Sequence, residues 1–256
     1  NKVLYASLDR PVLITGPPGS GKTVMGVHRS IFMRNDGKDI WVVAYNNTLA
    51  SFTRKWLEEA HEEQGIEVPD HKYVSTFHSW FSSRFRTIFR HGYPYVGDQR
   101  FDVDWQEVLE LFLNTSEDNS RKFFSHSLVV DEGQDLSKDF YKLLGYMHIK
   151  VNLLVTILAD ENQRLDRTQN STIDQIRDTF NLFAREEQGE RNEQYIEEYA
   201  LKKNYRNTVE IAKVAALFYN GIQTGIPELP TKTGVKPKYK NFDGQNDCIE
   251  RIAKYA

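Results

Sequence analysis

A chain of 256 residues with a 39% hydrophobic share has material for one large domain plus part of another, and no apolar run approaches the roughly 20 residues of a membrane span. A single cysteine, Cys248, excludes an internal disulfide framework and any cysteine-cluster metal site. With 33 Lys+Arg against 36 Asp+Glu, a net charge of −3, any nucleic-acid surface has to be local. The first five residues run into Asp9-Arg10 without the long apolar core of a signal peptide, so a reducing, cytoplasmic setting is expected.

In chain order, the apolar run 11–15 predicts a strand. It opens into Gly16-Pro17-Pro18-Gly19-Ser20-Gly21-Lys22-Thr23 and then a helix over 22–33. Strand, glycine-rich turn and helix together make a phosphate cradle. Glycines let successive N–H groups face one anion and the helix N-terminus adds partial positive charge. Lys22 is then placed for the terminal phosphates of ATP, and the Thr23 hydroxyl for Mg²⁺. A strand over 40–45, a helix over 48–61 and a strand over 72–75 follow. The basic, aromatic run 80–86 reads as a helix with one buried face.

Residues 91–104, rich in Gly, Tyr and Asp without a period, read as an insertion or long loop, followed by a helix over 105–112. The strand 128–130 ends in Asp131-Glu132. In a P-loop enzyme this is the place for the second Mg²⁺ contact, Asp131, and for a general base, Glu132, that takes a proton from the attacking water. A helix over 138–147 and a strand over 151–158 lead to Asp160-Glu161-Asn162-Gln163. A glutamine there suits a γ-phosphate sensor, an ordinary loop amide being the plain alternative. The charge-crowded stretch 185–198 reads as a solvated connector. Beyond it come a helix over 208–219, a loop over 221–236, a strand near 237–242 and a helix from about 245.

Strand and helix alternate, and runs apolar throughout suit parallel strands covered on both faces. The expected fold is therefore α/β, a doubly wound, mostly parallel sheet with its ligand beyond the carboxyl ends of the strands. The expected organisation is a first domain over 1–198, with a small insertion at about 86–126, and the truncated start of a second over 199–256.

Taken together, these residues resemble the UvrD/Rep-like branch of superfamily 1 helicases, a RecA-like P-loop NTPase family. The likeness is an ordered series: Gly16 to Thr23, Val43-Ala44-Tyr45-Asn46-Asn47-Thr48, Ser75-Thr76-Phe77-His78-Ser79, Asp131-Glu132-Gly133-Gln134-Asp135, Asp160 to Gln163, and Asn204-Tyr205-Arg206. It implies ATP and Mg²⁺ as cofactors and a second RecA-like domain beginning near 199. It also implies Gln163 as sensor and Arg206 reaching the γ-phosphate across an interdomain cleft. The partner it implies is single-stranded nucleic acid, DNA in preference to RNA, running past Tyr45, Asn46, Thr76, Phe77 and His78. Aromatics there offer stacking faces, although Tyr45 and Phe77 fit equally as core aromatics and His78 as a buried histidine. Three places after Gln163, where the resemblance puts an aromatic, stands Asp166. The expected function is an ATP-dependent DNA translocase core. The rival reading is a nucleotide-gated switch acting on an attached or partner effector protein.

Overall fold

The computed structural model describes residues 3–63, 65, 73–98, 101–164, 170–188, 195–217 and 227–238. Its centre is a six-stranded sheet: β1 (Val12–Thr15), β2 (Ile40–Ala44), β3 (Val74–Thr76), β4 (Ser127–Val130), β5 (Val155–Ala159) and β6 (Glu197–Ala200). The order is β3-β2-β4-β5-β1-β6 and every pairing is parallel, as expected for a doubly wound fold. Every residue of β1, β4 and β5 is buried. That is why these strands are apolar at every position instead of alternating.

The described residues form eight α-helices: α1 (Lys22–Asn35), α2 (Asn47–Glu63), α3 (Phe77–Phe89), α4 (Trp105–Leu113), α5 (Glu117–Phe123), α6 (Lys138–Val151), α7 (Ile173–Gln188) and α8 (Val209–Ala216). On one face α1 and α2 bury Val27, Ile31 and Leu57 against Val12, Ile14 and Leu158 of the sheet. The opposite face is aromatic: Phe81, Phe85, Phe112, Phe123 and Phe140 form one cluster with Leu13 and Val130. Many of these ring pairs meet edge to face, for example Phe112 and Phe123, with centroids 4.9 Å apart and planes 88° apart, the arrangement aromatic quadrupoles favour.

Three expectations change. The strand expected from residue 151 begins at Val155, because Val151 still belongs to α6. Asn152, at φ 56°, ends that helix in the left-handed conformation and its N–H donates to Met147 O. The charged stretch 185–198 is no plain connector: α7 runs to Gln188, and β6 lies on the sheet beside β1. Two acidic side chains at its end, Glu197 and Glu198, are paired. Arg177 Nη2 donates to Glu198 Oε2 at 2.8 Å, and Ser7 N and the Tyr199 hydroxyl donate to Glu197 Oε2 at 3.2 and 2.9 Å. Residue 198, the expected end of the first domain, thus lies inside a strand. Finally, the segment 86–126, expected as a small insertion, contributes side chains to the core. A single antiparallel bridge, Tyr95 to Val103, leads into α4 and α5, whose Val108, Phe112 and Phe123 are fully buried.

The helix expected over 208–219 is α8, residues 218 and 219 being outside the described set. Apart from residues 237 and 238, which form no regular element, so are the expected strand near 237–242, the helix from 245 and Asp166.

Candidate active site

The turn after β1 is built by glycines whose backbone other residues rarely adopt: Gly19 has φ +74° and Gly21 φ +90°. Gly21 caps α1 without a side-chain hydrogen bond, which leaves the first-turn N–H groups directed beyond the helix end. Ser20 Oγ is buried in this turn with no hydrogen-bond partner among the described residues. Lys22, 6% exposed, donates from Nζ to Gly16 O at 2.8 Å and Pro17 O at 3.2 Å, and its Nζ lies 3.5 Å from Asp160 Oδ2.

The neighbouring strands bring the acidic groups. Thr23 Oγ1 donates to Asp131 Oδ2 at 2.9 Å, tying α1 to the end of β4. Burial, and then the nearby Glu132 charge, push the Asp131 carboxyl up to about 6. Glu132 sits in the left-handed region at φ 53°, a conformation that costs a side-chain-bearing residue on the order of 1 kcal/mol or more. Its carboxylate is aimed by Gln134, whose Nε2 donates to Glu132 Oε2 at 2.9 Å while its Oε1 accepts from Asp160 N at 2.8 Å. Asp160 in turn accepts from Gln163 Nε2 at 2.6 Å. Gln134 and Asp160, absent from the sequence-derived site, are thus the groups that hold Glu132, Gln163 and Lys22 in one network. Their signal was position: both follow strand ends at the carboxyl edge of the sheet.

Arg206 reaches the P-loop on the segment that follows β6. Leu201 N donates to Thr15 O at 2.7 Å and Tyr205 N to Gly19 O at 2.8 Å, so the segment after β6 lies directly on the P-loop. Asn204 is 5% exposed and its Oδ1 accepts from the N–H groups of Arg206 and Asn207 at 3.0 and 3.1 Å. A Cβ at Gly19 would come within 2.7 Å of both Arg206 Cβ and Asn204 Oδ1. Only glycine satisfies the turn and this approach together.

A cavity of about 760 Å³ collects these groups: Lys22, Thr23, Glu132, Gln163 and Arg206 line it, with Tyr45 and Asn46 at the end of β2. An adjoining cavity of about 420 Å³ shares Tyr45 and Asp135 with the first and is lined also by Phe77, His78, Trp105 and Asn170. The five residues expected along a nucleic-acid track fall into different roles here. Tyr45 is 41% exposed and Asn46 is exposed, with Oδ1 accepting from Leu49 N at 2.8 Å. Thr76 caps α3 by accepting from Ser79 N at 3.4 Å. Phe77 is 5% exposed and packs on Phe81 and Phe140. His78 Nδ1 lies 3.2 Å from the Tyr93 hydroxyl, and burial pushes its imidazole below the usual range, toward the neutral form.

The residues fit Mg²⁺ and a nucleoside triphosphate. Mg²⁺ keeps most of its shell as water and phosphate and needs only one or two protein oxygens, which the Thr23 hydroxyl and the Asp131 carboxylate supply. Among the described residues no cluster of three His, Cys, Asp or Glu forms a protein-only metal cage, and no helix is long and apolar enough to cross a membrane.

A parallel β3-β2-β4-β5-β1-β6 sheet with a glycine turn between β1 and α1, and a strand-end Asp bonded to the turn's Thr, defines a P-loop NTPase domain. The family model described as AAA domain matches residues 2–182, and the chain belongs to that family. No curated protein matches it. Among solved structures, Pif1 from Bacteroides bound to single-stranded DNA is 16% identical with a TM-score of 0.40, over 85% of this chain and 44% of its own. Pif1 from Candida albicans is 14% identical with a TM-score of 0.37, over 63% of this chain and 32% of its own. DnaA from Aquifex aeolicus bound to AMPPCP is 15% identical with a TM-score of 0.31, over 88% and 49%. The chain spans less than half the length of each, and likenesses this distant bear no weight on function.

Proposed function

We propose that the chain is the ATP-binding and hydrolysing core of a superfamily 1, UvrD-like helicase or translocase acting on single-stranded DNA. The observation that carries this is the meeting of Lys22, Thr23, Glu132, Gln163 and Arg206 around one cavity, with Thr23 bonded to Asp131 behind it. The ordered motifs of the sequence, Asn204-Tyr205-Arg206 above all, distinguish this reading from other P-loop classes.

ATP with Mg²⁺, when bound, supplies the phosphoanhydride to be cleaved and part of the charge that neutralises it. The N–H groups of residues 19–23 and the Lys22 ammonium hold the phosphates, exchanging the Gly16 and Pro17 carbonyls for a stronger, charged acceptor. Thr23 and Asp131 would hold the metal. Glu132, steered by Gln134, takes the proton of the attacking water. Gln163, oriented by Asp160, reads the terminal phosphate, and Arg206 beside Gly19 neutralises charge that develops on it. Tyr45, exposed at the boundary of the two cavities, stacks on a base of the strand while the loop that carries it lines the nucleotide cavity.

The test is hydrolysis of ATP with and without single-stranded DNA and RNA, followed by a strand-displacement assay. Stimulation by DNA, lost in Lys22→Ala, is expected; hydrolysis indifferent to either nucleic acid would sink the translocase reading. Stimulated hydrolysis without displacement or movement along the strand would transfer the assignment to a nucleotide-gated switch.

A further inference from the structure

β3 is the terminal strand of the sheet, and a pocket of about 350 Å³ lies at it, between α2 and α3. It is lined by Trp41 and Ser75 from the strands, Arg54 from α2, and Trp80, Ser83 and Arg84 from α3. None of these residues lines either cavity of the active site. Four buried polar atoms in this wall, Trp41 Nε1, Arg54 Nε, Ser75 Oγ and Trp80 Nε1, have no hydrogen-bond partner among the described residues, and Trp80 is 2% exposed. Three of the four are N–H groups, which donate and cannot accept. A donor buried without an acceptor is destabilising, so a cluster of them is a request for an acceptor-rich ligand.

The charge agrees. Among the described residues no carboxylate lines the pocket, and its two guanidinium groups are fixed: Arg54 Nη2 donates to Val74 O at 2.6 Å, and Arg84 Nε to Phe123 O at 2.9 Å. Past Arg84 a second cavity, of about 420 Å³, is lined by Thr87, Arg90, Asn119 and Lys122, with no acid among its described residues. In a chain with more acids than bases, two adjoining cavities joined by an arginine and lined by no acid among the described residues match a ligand with repeated negative charge rather than a single carboxylate. We propose that the β3-edge pocket is a second phosphate site. Its ligand is a backbone phosphodiester of a nucleic-acid strand, and the neighbouring phosphate lies toward Arg90 and Lys122. Backbone phosphate contacts of this kind fix register without reading sequence. The proposal rests on the reading of this chain as a nucleic-acid motor and adds a contact outside its track cavity.

The test is fluorescence anisotropy of a labelled single-stranded oligonucleotide across a salt series, with wild type, Ser83→Glu and a charge control, Gln175→Glu. Ser83 is exposed on α3, so the fold accepts the change. Gln175 Oε1 accepts from Thr172 N, a bond a glutamate keeps. Ser83→Glu is expected to weaken binding about tenfold and to reduce the salt slope by about one, with ATP affinity unchanged and Gln175→Glu binding as wild type. Wild-type affinity and slope in a Ser83→Glu protein that melts like wild type would overturn the proposal. Equal weakening in both variants would do the same. A wild type that binds no oligonucleotide fails the motor reading itself. If millimolar inorganic phosphate then changes indole fluorescence in wild type and not in Ser83→Glu, the pocket is a small-anion site and the phosphodiester assignment falls.

Discussion

The two cavities at the carboxyl end of the sheet share Tyr45 and Asp135 but are built on different principles. The nucleotide cavity is a polar network in which Lys22, Asp131, Glu132, Gln134, Asp160 and Gln163 hold one another by named hydrogen bonds. The neighbouring cavity is walled by side chains that also serve the fold: Phe77 in the aromatic core and Thr76 as a helix cap. Chemistry and stability are thus separable in the first and entangled in the second. Asp135, bonded by Asn170 Nδ2 at 3.1 Å and within 3.4 Å of Gln134 Nε2, is where they touch.

The sharpest break of that contrast is Glu132→Gln. Removing the base lowers hydrolysis by about 10²–10⁴ while nucleotide binding and melting stay near wild type, read by steady-state phosphate release and calorimetry. Phe77→Ala does the opposite. It destabilises the fold by about 3–5 kcal/mol, seen as a lower denaturant midpoint, and any loss of DNA binding follows the loss of folded protein. Tyr45→Ala, at an exposed position, leaves the midpoint unchanged and weakens single-strand binding by about 1–3 kcal/mol. If Phe77→Ala were stable and Tyr45→Ala bound DNA normally, the division between the two cavities would be wrong.

The smallest effect is on pH. The folded Asp131 carboxyl is raised to about 6, so below that pH it holds a proton that Mg²⁺ has to displace. Mg²⁺-dependent nucleotide affinity therefore falls as pH drops through about 6, approaching tenfold per unit. Stability without the metal runs the other way. The protonated, buried carboxyl favours the folded state most below the ordinary carboxylate range, and that contribution is lost as pH rises through about 6. Calorimetric titrations and melting curves at pH 5 and 7 check both signs.

The polar network was legible where short motifs carry their own geometry. Gly16 to Thr23 and Asp131-Glu132 could be placed from the strand-turn-helix and strand-end patterns alone. Gln134 and Asp160 were not recognised as part of the site, because their roles come from bonds that span 26 residues and more. Two helices and a strand escaped for physical reasons. α5 is seven residues long and mostly polar. α7 buries Ile173, Ile176 and Phe180 at helical spacing, but its charged end read as connector. β6 carries acids that become strand-compatible only when Arg177 and Tyr199 pair them. Arg206 was found by its motif, yet its approach along β6 onto Gly19 depends on a sheet pairing that no local pattern announces.

The central claim is that one P-loop cavity binds Mg²⁺ and ATP through Lys22 and hydrolyses it through Glu132. Isothermal calorimetry of Mg·ATP with wild type, Lys22→Ala and Glu132→Gln tests it most directly. The account predicts binding by wild type and Glu132→Gln, and binding weakened beyond detection by folded Lys22→Ala. Wild-type affinity in Lys22→Ala would contradict it.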